Sequence, residues 1–190
     1  MSKRLAEPDG TADPPPAKVL LDMSQPVILR PVMPHDIPAI EKLHEHAFGP
    51  GRFARTAYRI REGLPPFSRH CRLTERKDGL VAAVRMAPIT IGERGGALLL
   101  GPLAVRPELK GQGYGKALVV NALADSARAG CRLVVLVGDL PYYERFGFRV
   151  APFGRLDPGG PVDPARLLVL EQETHALADY AGRIAADLAA

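Results

Sequence analysis

The segment Lys110-Gly111-Gln112-Gly113-Tyr114-Gly115-Lys116 restricts this chain more than any other feature. Glycines at alternate positions let backbone approach a bulky group, because no Cβ stands in the way. The residues that follow, Tyr114 to Ala129, recur with helical spacing, and Gly130 closes them. A helix that starts inside a glycine run points unpaired N–H groups and the positive end of its dipole at whatever sits there. Lys110 and Lys116 add charge at either edge. The physics is that of a phosphate or pyrophosphate cradle, although a bare glycine turn that only lets a helix pack closely has the same spelling.

Two common phosphate loops do not fit. A P-loop needs Gly, four residues, then Gly-Lys-Ser/Thr, and here Lys110 replaces the first glycine while Ala117 replaces the hydroxyl. The dinucleotide fingerprint fails from Gly111, whose sixth residue is Lys116, and from Gly113, whose sixth is Leu118.

The flanking pattern supplies the fold class. Upstream, Val27 to Pro31 reads as a strand, and Ile37, Ile40, Leu43 and Ala47 mark a helix with Asp36 at its capping position. An Arg-rich helical stretch over Phe53 to Arg61 ends near Gly63 and Pro65-Pro66. Cys71 to Glu75, Leu80 to Ile91 and Ala97 to Val105 then read as antiparallel strands joined by short turns. In the helix after the glycine loop, Val119, Val120, Leu123 and Ala127 form the expected inner stripe. Leu133 to Val137 is continuously apolar, as a buried central strand is. A short helix over Pro141 to Phe146, a strand from Phe148, a Pro/Gly loop over Pro152 to Pro164 and a strand over Arg166 to Glu171 follow. Leu177, Ala181, Ile184 and Leu188 have the spacing of a closing helix. The layout is α+β with one parallel step, a single domain over residues 26–190 preceded by a polar, proline-bearing tail over 1–25.

Composition narrows the function classes. The 190 residues are 46% hydrophobic and 24% charged, ordinary for a globular domain, and no apolar run reaches the roughly 20 residues of a membrane helix. With no apolar run behind Lys3 and Arg4, a secretory signal is not expected, and the chain reads as cytoplasmic. Cys71 and Cys131 read as reduced core thiols. The net charge is +4, with Arg52, Arg55, Arg59, Arg61, Arg69, Arg72, Arg76 and Lys77 scattered rather than striped. Trp is absent and aromatics are 6%, a poor supply for base stacking, so nucleic acid is not the expected partner. His44-Glu45-His46 lacks metal-ligand spacing and reads as a solvated helix face; no metal is expected.

Leu103-Ala104-Val105-x-Pro107 followed by Gly111-x-Gly113-x-Gly115 resembles the acetyl-CoA motif of the GNAT N-acyltransferases. Tyr142-Tyr143-Glu144-Arg145-Phe146-Gly147-Phe148 resembles that family's Tyr-x-x-x-Gly-Phe ending. The close resemblance covers Gly101 to Phe148, with Lys110 departing from the family's usual Gln or Arg. It implies a mostly antiparallel sheet with one splayed parallel strand pair, acetyl-CoA as acyl donor and an unidentified amine as acceptor. It further implies that main-chain groups of Leu103, Ala104 and Val105 hold pantetheine and that amides across Lys110, Gly111, Gln112, Gly113, Tyr114, Gly115 and Lys116 hold pyrophosphate. On the same resemblance Tyr143 protonates the leaving thiolate, the side chains of Gln112 and Tyr114 matter little, Tyr142 packs, and a homodimer is possible. A longer acyl-CoA, or a silent CoA-binding module, are the alternatives.

Overall fold

The computed structural model describes residues 26–190; the tail expected over residues 1–25 lies outside the described residues. The elements are β1 (Ile28–Pro31), α1 (Ile37–Phe48), α2 (Thr56–Arg59), β2 (Arg72–Arg76), β3 (Gly79–Ile91), β4 (Arg94–Val105), α3 (Tyr114–Arg128), β5 (Leu133–Val137), α4 (Leu140–Tyr143), β6 (Arg149–Val150), β7 (Leu156–Asp157), β8 (Leu167–Glu171) and β9 (Gly182–Ala186). They form a mixed α+β structure around one sheet ordered β1-β2-β3-β4-β5-β8-β6. Its main path is antiparallel except between β4 and β5.

Period-two alternation divides the core into two layers. Leu98, Leu100, Val134 and Leu136 face α3 and pack with its Leu118, Val119 and Ala122. Their neighbours Leu99, Leu133 and Val135 face the other way, onto Ile60, Leu156, Leu177 and Ile184. α1 closes a third cluster through Ile40 and Leu43 against Leu73, Ala83 and Ala104. Both cysteines are buried and free.

Four local expectations change. The C-terminal segment is a 3-10 turn, Ala176–Asp179, followed by strand β9 rather than a helix. β3 is longer than β2, so its second half keeps an open edge, and Ile184 to Ala186 fill it opposite Ile91 to Ile89. Pairing that edge outweighs a weak helical pattern. The Arg-rich stretch is a 3-10 turn, Pro50–Ala54, and one turn of helix, α2. Asp36 holds the N-cap position of α1 as expected, but its carboxylate makes no cap bond; it accepts the Met33 N–H (2.7 Å) and pairs with Arg30, which also holds Glu75. In α3 the inner face carries Tyr114, Leu118, Val119, Ala122, Leu123 and Ser126, whereas Val120 and Ala127 are exposed.

The docking of β9 depends on one glycine. Gly92 has φ +52°, and a Cβ there would overlap the Ala181 carbonyl oxygen. Its N–H donates to Arg183 C=O at 2.9 Å. Gly92→Ala must therefore push β9 off the edge of β3, and a loss of about 3 kcal/mol or more is expected in urea unfolding.

Candidate active site

The site forms where β4 and β5 part. Their parallel register runs Ala97–Leu133, Leu98–Val134 and Leu99–Val135 and then stops, although β4 continues to Val105. On the β3 side, Val84 pairs with Leu103 but Met86 with Leu100, so β4 carries an extra residue at Gly101-Pro102. This bulge turns β4 away from its parallel neighbour. Below it, Arg106 N–H donates to Val81 C=O at 2.8 Å, which makes 106/81 a hydrogen-bonded pair. Antiparallel alternation then turns Ala104 toward Ala83 and leaves the main-chain groups of Leu103 and Val105 facing away from β3, into the opening.

At the end of that opening α3 begins. Gly111 and Gly113 have φ of +80° and +88°, and Gly113 is the N-cap residue with no side chain to satisfy the helix. The first backbone bond of the helix is Ala117 N–H to Gly113 C=O. Among the described residues, the amides from Gly111 to Lys116 donate to no protein acceptor. Lys110 is exposed and Lys116 half-buried at the edges of this amide row. Gln112 makes only a long contact, 3.5 Å, from its side-chain amide to Glu108 C=O. Gly115 is tightly enclosed: a Cβ would stand 3.1 Å from the Tyr142 hydroxyl and 3.3 Å from Val105 Cγ2.

Tyr114 differs from its sequence reading. Its ring is 1% exposed within the α3 core, with Arg76 Cζ 5.0 Å from the ring centre, so the side chain anchors the helix start.

Tyr143 lines a cleft of about 680 Å³ together with Leu103, Gly138, Tyr142, Tyr58 and Arg61. Its ring meets Tyr142 edge-on at 4.9 Å and Phe148 at 5.7 Å. Gly138 makes this possible, since a Cβ there would come 2.6 Å from Tyr143 Cε2. Burial, then the neighbouring Tyr142 and Asp139, push the Tyr143 phenol well above its usual range, so it is protonated at neutral pH. Burial also raises the Tyr142 phenol.

The second wall of the cleft comes from α2 and the residues after it, within the stretch expected as an Arg-rich helix. Arg55 and Arg59 are exposed, but Arg52 and Arg61 are buried. His44, read as part of a solvated face, is 5% exposed with an unpartnered Nε2. Burial first, then Arg61, Arg52 and Arg85, lower its pKa to about 4; the Phe48 ring flanks it at 6.1 Å. Unfolded, an imidazole titrates near 6.5. Between those values the unfolded chain binds the extra proton, so stability is full above pH 6.5 and falls as pH drops toward 4. About 2 kcal/mol should disappear between pH 7 and 5 through His44 alone. His44→Gln should remove most of that slope in denaturant titrations, leaving the smaller contribution of His70, whose pKa burial also lowers.

Among the described residues no group of three or more His, Cys, Asp or Glu side chains is placed to hold a metal, and no helix is long and apolar enough to cross a membrane.

The parallel pair therefore splays beside an amide-lined helix start, an opening able to take an extended chain that ends in an anion. A model of the acetyltransferase (GNAT) domain matches residues 68–150. The uncharacterized N-acetyltransferase YhbS of Escherichia coli K12 is 29% identical over 132 residues, covering 66% of this chain and 75% of that protein. The structure of YhbS in complex with CoA superimposes with a TM-score of 0.73 at 24% identity, covering 93% of each chain. A GNAT family acetyltransferase from Brucella melitensis in complex with acetyl-CoA gives 0.57 at 28% identity over 77% of this chain and 97% of that one. In sequence and in fold the chain is similar to GNAT N-acetyltransferases.

Proposed function

We propose that this protein transfers the acetyl group of acetyl-CoA to a primary amine by direct attack, with no covalent acyl-enzyme. The observation that carries the reading is the end of β4–β5 pairing at Leu99–Val135, beside the free amides of residues 111–116. Leu103 and Val105 offer main-chain groups to an extended pantetheine arm, and Ala104, bonded toward β3, sets their direction. The amides from Gly111 to Lys116 receive the pyrophosphate, with Lys110 and Lys116 as flanking charges. The relatives bound to CoA and acetyl-CoA support this choice of donor.

The neutral amine attacks the thioester carbon, the carbonyl oxygen becomes an oxyanion, and an N–H of the β4 opening stabilises it. The C–S bond then breaks, the nitrogen loses its proton to solvent, and the Tyr143 hydroxyl gives its proton to the departing sulfur. The raised phenol pKa keeps the hydroxyl protonated at neutral pH, as a donor must be, and disqualifies the group as a base there. Calorimetry with acetyl-CoA, followed by mass spectrometry of an amine panel, tests the reading. Micromolar binding and an N-acetylated product are expected; absence of both would sink it.

A further inference from the structure

Arg61 is 5% exposed, yet it lines the same cleft as Tyr143. Its Nη2 stands 3.6 Å from where a Cβ of Gly101 would be, at the bulge where β4 leaves β5. Its Nε and Nη1 are buried and have no hydrogen-bond partner among the described residues. Nor does a carboxylate neutralise it: the groups acting on its charge are Arg85, Tyr58 and Cys71. Tyr58 lies beneath it, 5.3 Å from Cζ to the ring centre, with its own hydroxyl buried and unpartnered. Burial accordingly pulls the guanidinium pKa downward.

A buried cation without a counter-ion costs several kcal/mol, and removing the anion from a buried pair leaves this situation. Of the other arginines lining the cleft, Arg166 is paired, while Arg55 has no ion pair among the described residues but is exposed and lies 5.7 Å from the Phe48 ring. Asp139 pairs with Arg166 at 3.2 Å, and the Asp163 carboxylate accepts the Ala165 N–H. Arg52, also buried, has Glu41 at 3.6 Å and the Gly49 carbonyl. Arg61 differs from these in being buried without a partner, with Nη2 at the Gly101 bulge, and its planar fork matches the two oxygens of a carboxylate.

We propose that Arg61 binds a carboxylate of the substrate, so that the acceptor is an amine carrying a carboxylate near its reacting nitrogen. This deepens the acetyl-transfer reading and rests on it. The same fork would serve a carboxylate at the end of the donor's acyl chain, and the kinetic arms below separate the two sources.

The first readout needs no catalysis. Glutarate should raise the thermal midpoint of the full chain, and its uncharged counterpart glutaramide should not. Arg61→Gln should lose the response, and the exposed Arg59→Gln should keep it. Equal responses to the two probes, or a response that survives Arg61→Gln, overturn the proposal; if Arg61→Gln does not fold, the contrast between the probes in the unaltered protein decides. In turnover with acetyl-CoA, amino acids should exceed their carboxamides by about 100-fold in kcat/KM, the ~3 kcal/mol of a charge-assisted bidentate contact. A preference for succinyl-CoA over butyryl-CoA with plain amines places the carboxylate on the acyl chain and also supports the assignment; no preference in either arm overturns it. A glutarate response in a protein that fails to bind acetyl-CoA would remove the acyl-transfer reading while the anion site stood.

Discussion

Gly113→Glu is expected to weaken acetyl-CoA binding by 100-fold or more while moving the unfolding midpoint by only a few degrees. Gly113 sits at φ +88° as the N-cap of α3, a conformation that costs a non-glycine residue about 1–2 kcal/mol. That strain alone shifts the midpoint of a chain this size by roughly 2–8 °C. The carboxylate acts separately. At about 5 Å from a diphosphate charge, with an effective dielectric near 20, like-charge repulsion is on the order of 3 kcal/mol, or a factor of about 100 in affinity. Gly113→Ala carries the strain without the charge, so calorimetry on the pair separates the two effects. The alanine variant should lose less than about 10-fold. If both variants bind acetyl-CoA as the unaltered protein does, the amides from Gly111 to Lys116 are not the pyrophosphate site.

The glycine loop, the helix behind it and the buried strand Leu133–Val137 were legible because each is a local pattern. Alternating glycines, a 3.6 period and a continuous apolar run need no distant partner to be read. The parallel step followed from their order. What local pattern could not carry was competition for partners. Leu177 to Leu188 keeps a helical spacing, yet the open half-edge of β3 takes Ile184 to Ala186 as a strand. The Tyr114 side chain reads as of little consequence beside its backbone amide, but its ring fills the α3 core. His44 falls four residues after Ile40 on the apolar stripe of α1, so helical spacing placed it inward, whereas Arg61 carried no such signal: its neighbour Arg59 is exposed, and the bulge beside it, Gly101 in β4, is far away in sequence. Gly138 stands in the motif Gly138-Asp139-x-Pro141-x-Tyr143 that resembles the family, and its packing role was also within reach. A glycine directly after a buried strand and five residues before Tyr143 marks a place where a ring lies against backbone.

Tyr143→Phe should lower kcat by about 100-fold, the usual contribution of a positioned acid, and change the KM for acetyl-CoA by less than about threefold. Phenylalanine keeps the edge-on contacts with Tyr142 and Phe148, so the packing beside Gly138 is preserved and only the proton donor is lost. The pH dependence gives a second, independent check. Because burial, Tyr142 and Asp139 hold the phenol protonated well beyond its usual range, Tyr143 cannot impose an alkaline decline below about pH 10. In the unaltered protein kcat/KM for the acceptor should therefore rise with pH as the amine loses its proton, and show no fall from Tyr143 across that range. The Tyr143→Phe profile should keep the same rise at a lower level. Tyr142→Phe is the necessary comparison, since its hydroxyl lies against Gly115 at the start of α3. A threefold effect or less there, beside the large effect at Tyr143, assigns the proton to Tyr143. The opposite ranking would move the acid to Tyr142 and leave Tyr143 as the aromatic wall that packs on Gly138.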